Sequence, residues 1–317
     1  MGKKAHNILF GVFIVIFAGL IAIILYLCIS NSICFQKQVK KVNKKCQEYN
    51  EQACKLSDQS SPAIDELQAK INQDDAVPGQ FPHQAFIELV NSKKSTVHLC
   101  GGSLISEYFV LTAAHCIIQA GGNPKIQVEL GNVFLKSGKE YKVKEFHVHP
   151  GFSEKRIYND IALLKLDTKV NFSSTIRPIC LNTDYNIEKY HNATTSGWGL
   201  ERLASGKIGN STSNLKIIKL RIDEKHESIC GVHPAAYDED SQRIICTHSS
   251  EEDKHEGDAG GPLQVWSKGC SDGKTTLYEL LAVNSRNVKP RTPDKGRGII
   301  FIKIEPYIRW IGEIVWP

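Results

Sequence analysis

From Gln80 onward the chain runs in short apolar stretches, and this rhythm limits its fold more than any other feature. Gln84–Val90, Lys125–Val133, Lys139–His149 and Asp160–Leu166 are rich in Val, Ile, Leu, Phe and Tyr, and Asn132, Gly138 and the Pro150-Gly151 pair punctuate them. Branched and aromatic side chains suit a pleated, half-buried surface. Many such short strands at close spacing predict an all-β barrel or sandwich. The end of the chain differs. In Glu305–Trp316, Ile308, Trp310, Ile311, Ile314 and Val315 recur at helical spacing, with Pro306 where a first turn tolerates it. A closing amphipathic helix is expected there.

The beginning has another character. Residues 1–7 form a short tail with Lys3 and Lys4, and Ile8 to Ser30 carries no charge over 23 residues. About 20 apolar residues suffice for a helix to cross a bilayer, and a signal peptide has a shorter apolar core. A transmembrane signal anchor over 8–30 is expected, with a cleaved signal peptide as the alternative. Residues 31–70 are polar and read as a stem or linker. Lys37, Lys40, Lys41, Lys44 and Lys45 follow the span and outnumber the lysines before it, which alone would place the C-terminal side in the cytoplasm. Ten cysteines and sequons at Asn171, Asn192 and Asn210 favour the opposite, oxidising side. Long domains translocate largely regardless of charge. An extracellular or cell-surface domain is therefore expected, or else a secreted one. A net charge of +5 with scattered basic residues argues against a nucleic-acid partner.

Five motifs occur in one order: Cys100-Gly101-Gly102-Ser103-Leu104-Ile105 with Leu111-Thr112-Ala113-Ala114-His115-Cys116; Asn159-Asp160-Ile161-Ala162-Leu163-Leu164; Arg177-Pro178-Ile179-Cys180-Leu181; Ser196-Gly197-Trp198-Gly199; and Gly257-Asp258-Ala259-Gly260-Gly261-Pro262. Together they resemble the chymotrypsin-like (trypsin-like) serine proteases over residues 71–317. Phe81-Pro82-His83-Gln84, the Cys46-Gln47-Glu48-Tyr49 stem and the Ile314-Val315-Trp316-Pro317 ending are similar to arthropod cascade proteases of the snake and easter type. The resemblance implies two six-stranded antiparallel barrels with the catalytic groups between them and a C-terminal helix. It also implies disulfides Cys100–Cys116 and Cys230–Cys246, and a tie from Cys180 to the upstream segment. Cys46 is the preferred partner and Cys54 the alternative, with Cys28, Cys34 and Cys270 unassigned.

The same resemblance distributes roles. His115 corresponds to the general base and Asp160 to the carboxylate orienting it. Ala259 occupies the nucleophile position, where the family motif has serine, and a methyl group cannot attack a carbonyl. Gly257 and Ala259 would supply the oxyanion-hole N–H groups. Asp258 corresponds to the partner of an amino terminus freed by cleavage. Here Lys70-Ile71-Asn72-Gln73 lacks the family's glycines, so an uncleaved loop is expected. Asp253, six residues before Ala259, stands where trypsin-like members hold a basic side chain. His255 and the region of Asn287 lack a cysteine pair that would brace that pocket, and the S-W-G edge reads Asn284-Ser285-Arg286.

These changes cluster, so the expectation is a non-catalytic homologue with a vestigial His115–Asp160 pair. It would bind proteins, either cascade proteases or their substrates, in an extracellular proteolytic cascade. Neither metal nor cofactor is expected, since His147 and His149 read as strand surface. Two alternatives stand beside it. One is an active trypsin-like serine endopeptidase, with Ser249, Ser250 and Ser285 as candidate nucleophiles. The other is a membrane adhesion or receptor-like protein, held through residues 8–30.

Overall fold

The short apolar runs close into two barrels. A computed structural model describes residues 2–57, 74–90, 96–119, 124–131, 133–156, 158–184, 189–199, 214–223, 243–249, 258–271, 275–288 and 298–317. Strands β1 (Gln84–Val90), β2 (Thr96–Leu104), β3 (Phe109–Thr112), β4 (Lys125–Leu130), β5 (Lys139–Val148) and β6 (Ala162–Leu166) form an antiparallel barrel in the order β1-β2-β3-β6-β5-β4. A short helix, α2 (Ala114–Ile118), follows β3. The second sheet comprises β7 (Cys180–Leu181), β8 (Asn192–Gly197), β9 (Lys216–Asp223), β10 (Ile244–Ser249), β11 (Pro262–Gly269), β12 (Thr276–Val288) and β13 (Gly298–Lys303). It runs β11-β8-β9-β10-β13-β12 and returns to β11, so six strands close; β7 is added parallel to β12.

Ile87, Leu89, Leu104, Leu111, Leu163 and Leu164 are wholly buried in one core cluster, and Phe86 is buried in a second cluster with Trp198. Each such side chain stabilises the fold by roughly 1.5–3 kcal/mol relative to an exposed one. The expected closing helix is present: a 3-10 turn over Glu305–Tyr307, with Pro306 near its start, leads into α3 (Ile308–Val315), which buries Ile308, Ile311 and Val315.

The N-terminal part departs from expectation. Helix α1 runs from Gly2 to Ser57 and so contains most of the expected linker. No glycine or proline interrupts residues 31–57, and Phe35, Val39, Val42, Cys46, Tyr49 and Ala53 recur at alternating four- and three-residue intervals. That spacing is an apolar helical stripe. Val42 and Tyr49 are buried in the main core, with Phe35 and Val39 packed partly against it, and Ala53 is buried in a separate cluster with Cys270 and Leu277. Gln38 lies against Gly312 of α3, Lys41 Nζ donates to the carbonyl of Pro317 (2.7 Å), and Tyr49 donates to Glu107 Oε2 (2.8 Å).

Residues 8–30 fall inside α1, and the membrane-crossing helix expected there finds no support: among the described residues no helix is long and apolar enough to cross a membrane. The helix does not stop after the uncharged stretch but continues into the charged, docked half.

Cys46 pairs with Cys180 and Cys100 with Cys116, both as expected. The third bridge, Cys54–Cys270, joins the alternative stem cysteine to one left unassigned. Cys246 is also disulfide-bonded, and its expected partner Cys230 lies outside the described residues. Two bridges therefore staple α1 to the second barrel and its leading strand. Closing loops of 134 and 216 residues removes much disorder from the unfolded chain.

Candidate active site

The site forms where β3 ends and β6 begins. β3 hands over through Ala113 to α2, which carries His115 on its first turn. Asp160 sits just before β6 and is fully buried. The two meet as the motifs predict: His115 Nδ1 lies 2.7 Å from Asp160 Oδ2, and the backbone N–H of His115 donates to Oδ1 at 2.8 Å. A third donor, the hydroxyl of Ser285 on β12, reaches Oδ2 at 2.5 Å.

Burial alone would push the Asp160 carboxyl up. The hydrogen bonds and charge of His115, with the Ser285 hydroxyl, outweigh it and leave the group below the ordinary aspartate range. It is held ionised, and so can orient an imidazole and stabilise its protonated form.

The turn Asp258-Ala259-Gly260-Gly261 lies against the Cys100–Cys116 bridge, with the Ala259 carbonyl 3.8 Å from Cys116 Sγ. The carbonyl of Ala259 accepts from Gly101 N (2.8 Å), Gly260 N donates to Asn284 O (2.7 Å), and Gly261 N closes onto Asp258 O (2.8 Å). Gly260 has φ +79°, and a Cβ there would lie 2.2 Å from Thr112 Oγ1 and 2.5 Å from Gly101 O. Only glycine meets both demands. Asp258 is buried and accepts from Trp198 N at 2.9 Å.

Ala259 holds its motif position in this turn but has only a methyl group to present. Of the candidate nucleophiles, Ser285 is buried beside Asp160 with its hydroxyl given to the carboxylate; Arg286, next to it on β12, is exposed. Ser249 ends β10, opposite Leu220 of β9. Ser250, Asp253, His255, Gly257, Lys70 and Ile71 lie outside the described residues.

Downstream of Lys70, where an uncleaved loop is expected, the chain pairs with the start of β9. Ala76 N donates to Leu215 O (2.8 Å), Ile217 N donates to Asp74 O (2.7 Å), and Lys216 pairs with Asp75.

Cys100, His115 and Cys116 bring potential ligand atoms together, but both sulfurs are in one disulfide, which removes the thiolates a metal would need. His147 is half-exposed beside Glu145, and His149 stacks edge-on against Tyr307 and Trp310. Asn171 and Asn192 are exposed, whereas Asn210 lies outside the described residues.

Sequence reasoning missed the Ser285 contact and the docked half of α1. The first has no local signal, because residues 160 and 285 meet only in the fold. The second was visible in the four-and-three spacing.

The family model named Trypsin matches residues 70–311. Trypsin alpha of Drosophila melanogaster is 33% identical over 202 residues, 60% of this chain and 74% of the relative. Trypsin of Sarcophaga bullata is 32% identical over 212 residues, 63% of this chain and 80% of the relative. A solved structure titled HL collagenase superposes with a TM-score of 0.59 at 26% identity, covering 77% of this chain and 98% of that one. These relatives overturn the expectation that the chain is not an enzyme. It rested on Ala259 and neighbouring changes, whereas the relatives matched over 202 and 212 residues are named trypsins. The chain belongs to the trypsin family of chymotrypsin-like serine proteases.

Proposed function

We propose that the domain is a trypsin-like endopeptidase whose His115–Asp160 pair activates the attacking oxygen for peptide-bond hydrolysis. The observation that carries this reading is the intact pair, with Asp160 held ionised by three donors. Ala259 supplies no oxygen, so water is the attacking group. His115 Nε2 takes a proton as the water oxygen bonds to the carbonyl carbon. The Nδ1 proton stays on the imidazole, hydrogen-bonded to ionised Asp160, and the imidazolium then gives its Nε2 proton to the departing amine.

Without a side-chain nucleophile the expected acceleration is the residual ~10³–10⁴-fold over water. Asp253 makes arginyl and lysyl substrates the first to test. Polypeptides, including proteases of an extracellular cascade and their substrates, are the proposed partners. Three disulfides among the described residues support an oxidising, extracellular setting.

The test uses the purified full chain with peptidyl-arginine and peptidyl-lysine esters. Turnover lost in His115→Gln supports the reading. Substrate binding without turnover above buffer overturns it.

A further inference from the structure

Asp160 is the middle residue of a three-residue turn, since Ile161 N donates to Asn159 O at 2.8 Å. The direction of its carboxylate therefore depends on Asn159. That residue has φ +61°, a left-handed conformation which asparagine tolerates better than most residues.

Every polar group of the Asn159 side chain is occupied. Nδ2 donates to Gly151 O (3.0 Å). Oδ1 accepts both from the Tyr307 hydroxyl (2.9 Å) and from Arg243 Nη1 (3.1 Å). The backbone N–H of Asn159 donates to the same hydroxyl at 3.2 Å. Tyr307 is buried in the turn before α3, edge-on to His149 with ring centres 5.0 Å apart; His149 in turn lies 5.1 Å from Trp310.

The closing helix is thus joined to the catalytic pair through a short chain of contacts: Tyr307 and Arg243 to Asn159, then Asp160, then His115. We propose that Tyr307, assisted by Arg243, is a positioning residue for the His115–Asp160 pair and acts through Asn159. A buried hydroxyl that both donates to and accepts from one residue fixes that residue in two directions. Phenylalanine keeps the ring packing and removes both bonds.

The consequence for rate rests on the endopeptidase reading, but the test below does not. The hydrogen-bonded Nδ1 proton of His115 is followed by NMR in the full chain labelled with ¹⁵N-histidine, and His115→Gln assigns the signal. The expected result for Tyr307→Phe is a folded protein whose Nδ1 proton exchanges with water about tenfold faster, the scale of one lost hydrogen bond. Asn159→Gly keeps the left-handed backbone but removes the acceptor, and should show the same loss. Asn159→Asp keeps the acceptor and should retain the signal.

Tyr49→Phe removes a comparable hydroxyl bond, from α1 to Glu107 and outside this chain of contacts, and should leave the proton unchanged. Native-like protection in both Tyr307→Phe and Asn159→Gly overturns the proposal, and so does an equal loss in Tyr49→Phe. If Tyr307→Phe does not fold, Asn159→Gly decides.

Discussion

Ser285 Oγ and His115 Nδ1 converge on the same oxygen of Asp160, at 2.5 and 2.7 Å. One residue comes from the second barrel and the other from the first, so the ionised carboxylate joins the two halves of the cleft. Ser285→Ala should cost about 1.5–3 kcal/mol at neutral pH, the range for a hydrogen bond to a charged group. The sign follows from Asp160, whose folded pKa is depressed. Its contribution is present above the unfolded value of 3.8 and is lost as pH falls through the lower folded value. The variant's deficit should therefore shrink in strong acid. Urea midpoints at pH 7 and in strong acid read this, and an undiminished deficit in acid would contradict it.

A second pH dependence comes from His83, which is fully buried. Burial, opposed by the neighbouring Gln264 side chain and helped by nearby Arg177, lowers its pKa to about 3 from 6.5. The unfolded chain then binds a proton that the folded chain refuses. Stability should fall between pH 6.5 and about 3, by at most about 1.4 kcal/mol per pH unit from this group. His83→Gln should flatten that part of the stability–pH curve. A slope unchanged in the variant would show that other groups carry it.

Gly260→Ala should destabilise the fold by about 3 kcal/mol or more, because a left-handed backbone and a close approach to Thr112 and Gly101 both oppose a Cβ. Chemical denaturation measures it. A loss below about 1 kcal/mol, typical of Gly→Ala at an undemanding site, would mean the turn relaxes.

Ala259→Ser should restore a hydroxyl at the nucleophile position and raise ester turnover by at least ~10²-fold, given that losing such a serine costs about 10⁶ in related machinery. It should also create fluorophosphonate labelling at residue 259 that the natural chain lacks. A stably folded variant with neither property would show that the base pair cannot activate a hydroxyl there.

Cys46–Cys180 and Cys54–Cys270 should hold the stem on the domain when a protease site is engineered after Lys70 and the chain is cut there. Non-reducing electrophoresis should show one species, and reduction should release the stem. Replacing either pair by serine should leave the other holding. Release without reductant would refute the bridges.

Much of this molecule is written locally. The strand rhythm after Gln80 announces β-structure. The order of His115, Asp160 and the Gly-rich turn marks the cleft, and Ala259 states outright which atom is absent. The spacing from Phe35 to Ala53 also encodes a helix, because each of those residues lies about one turn from the next, on one face. Other features exist only once distant segments meet. Nothing near Ser285 says that it donates to Asp160, 125 residues earlier, and nothing near Tyr307 says that it grips Asn159. Cys54 chose Cys270 because docking α1 brought their Cα atoms to 5.5 Å. Local pattern depends on backbone period and turn chemistry, which neighbours in sequence specify. Pairings across barrels depend on closure and packing, which only the whole chain specifies.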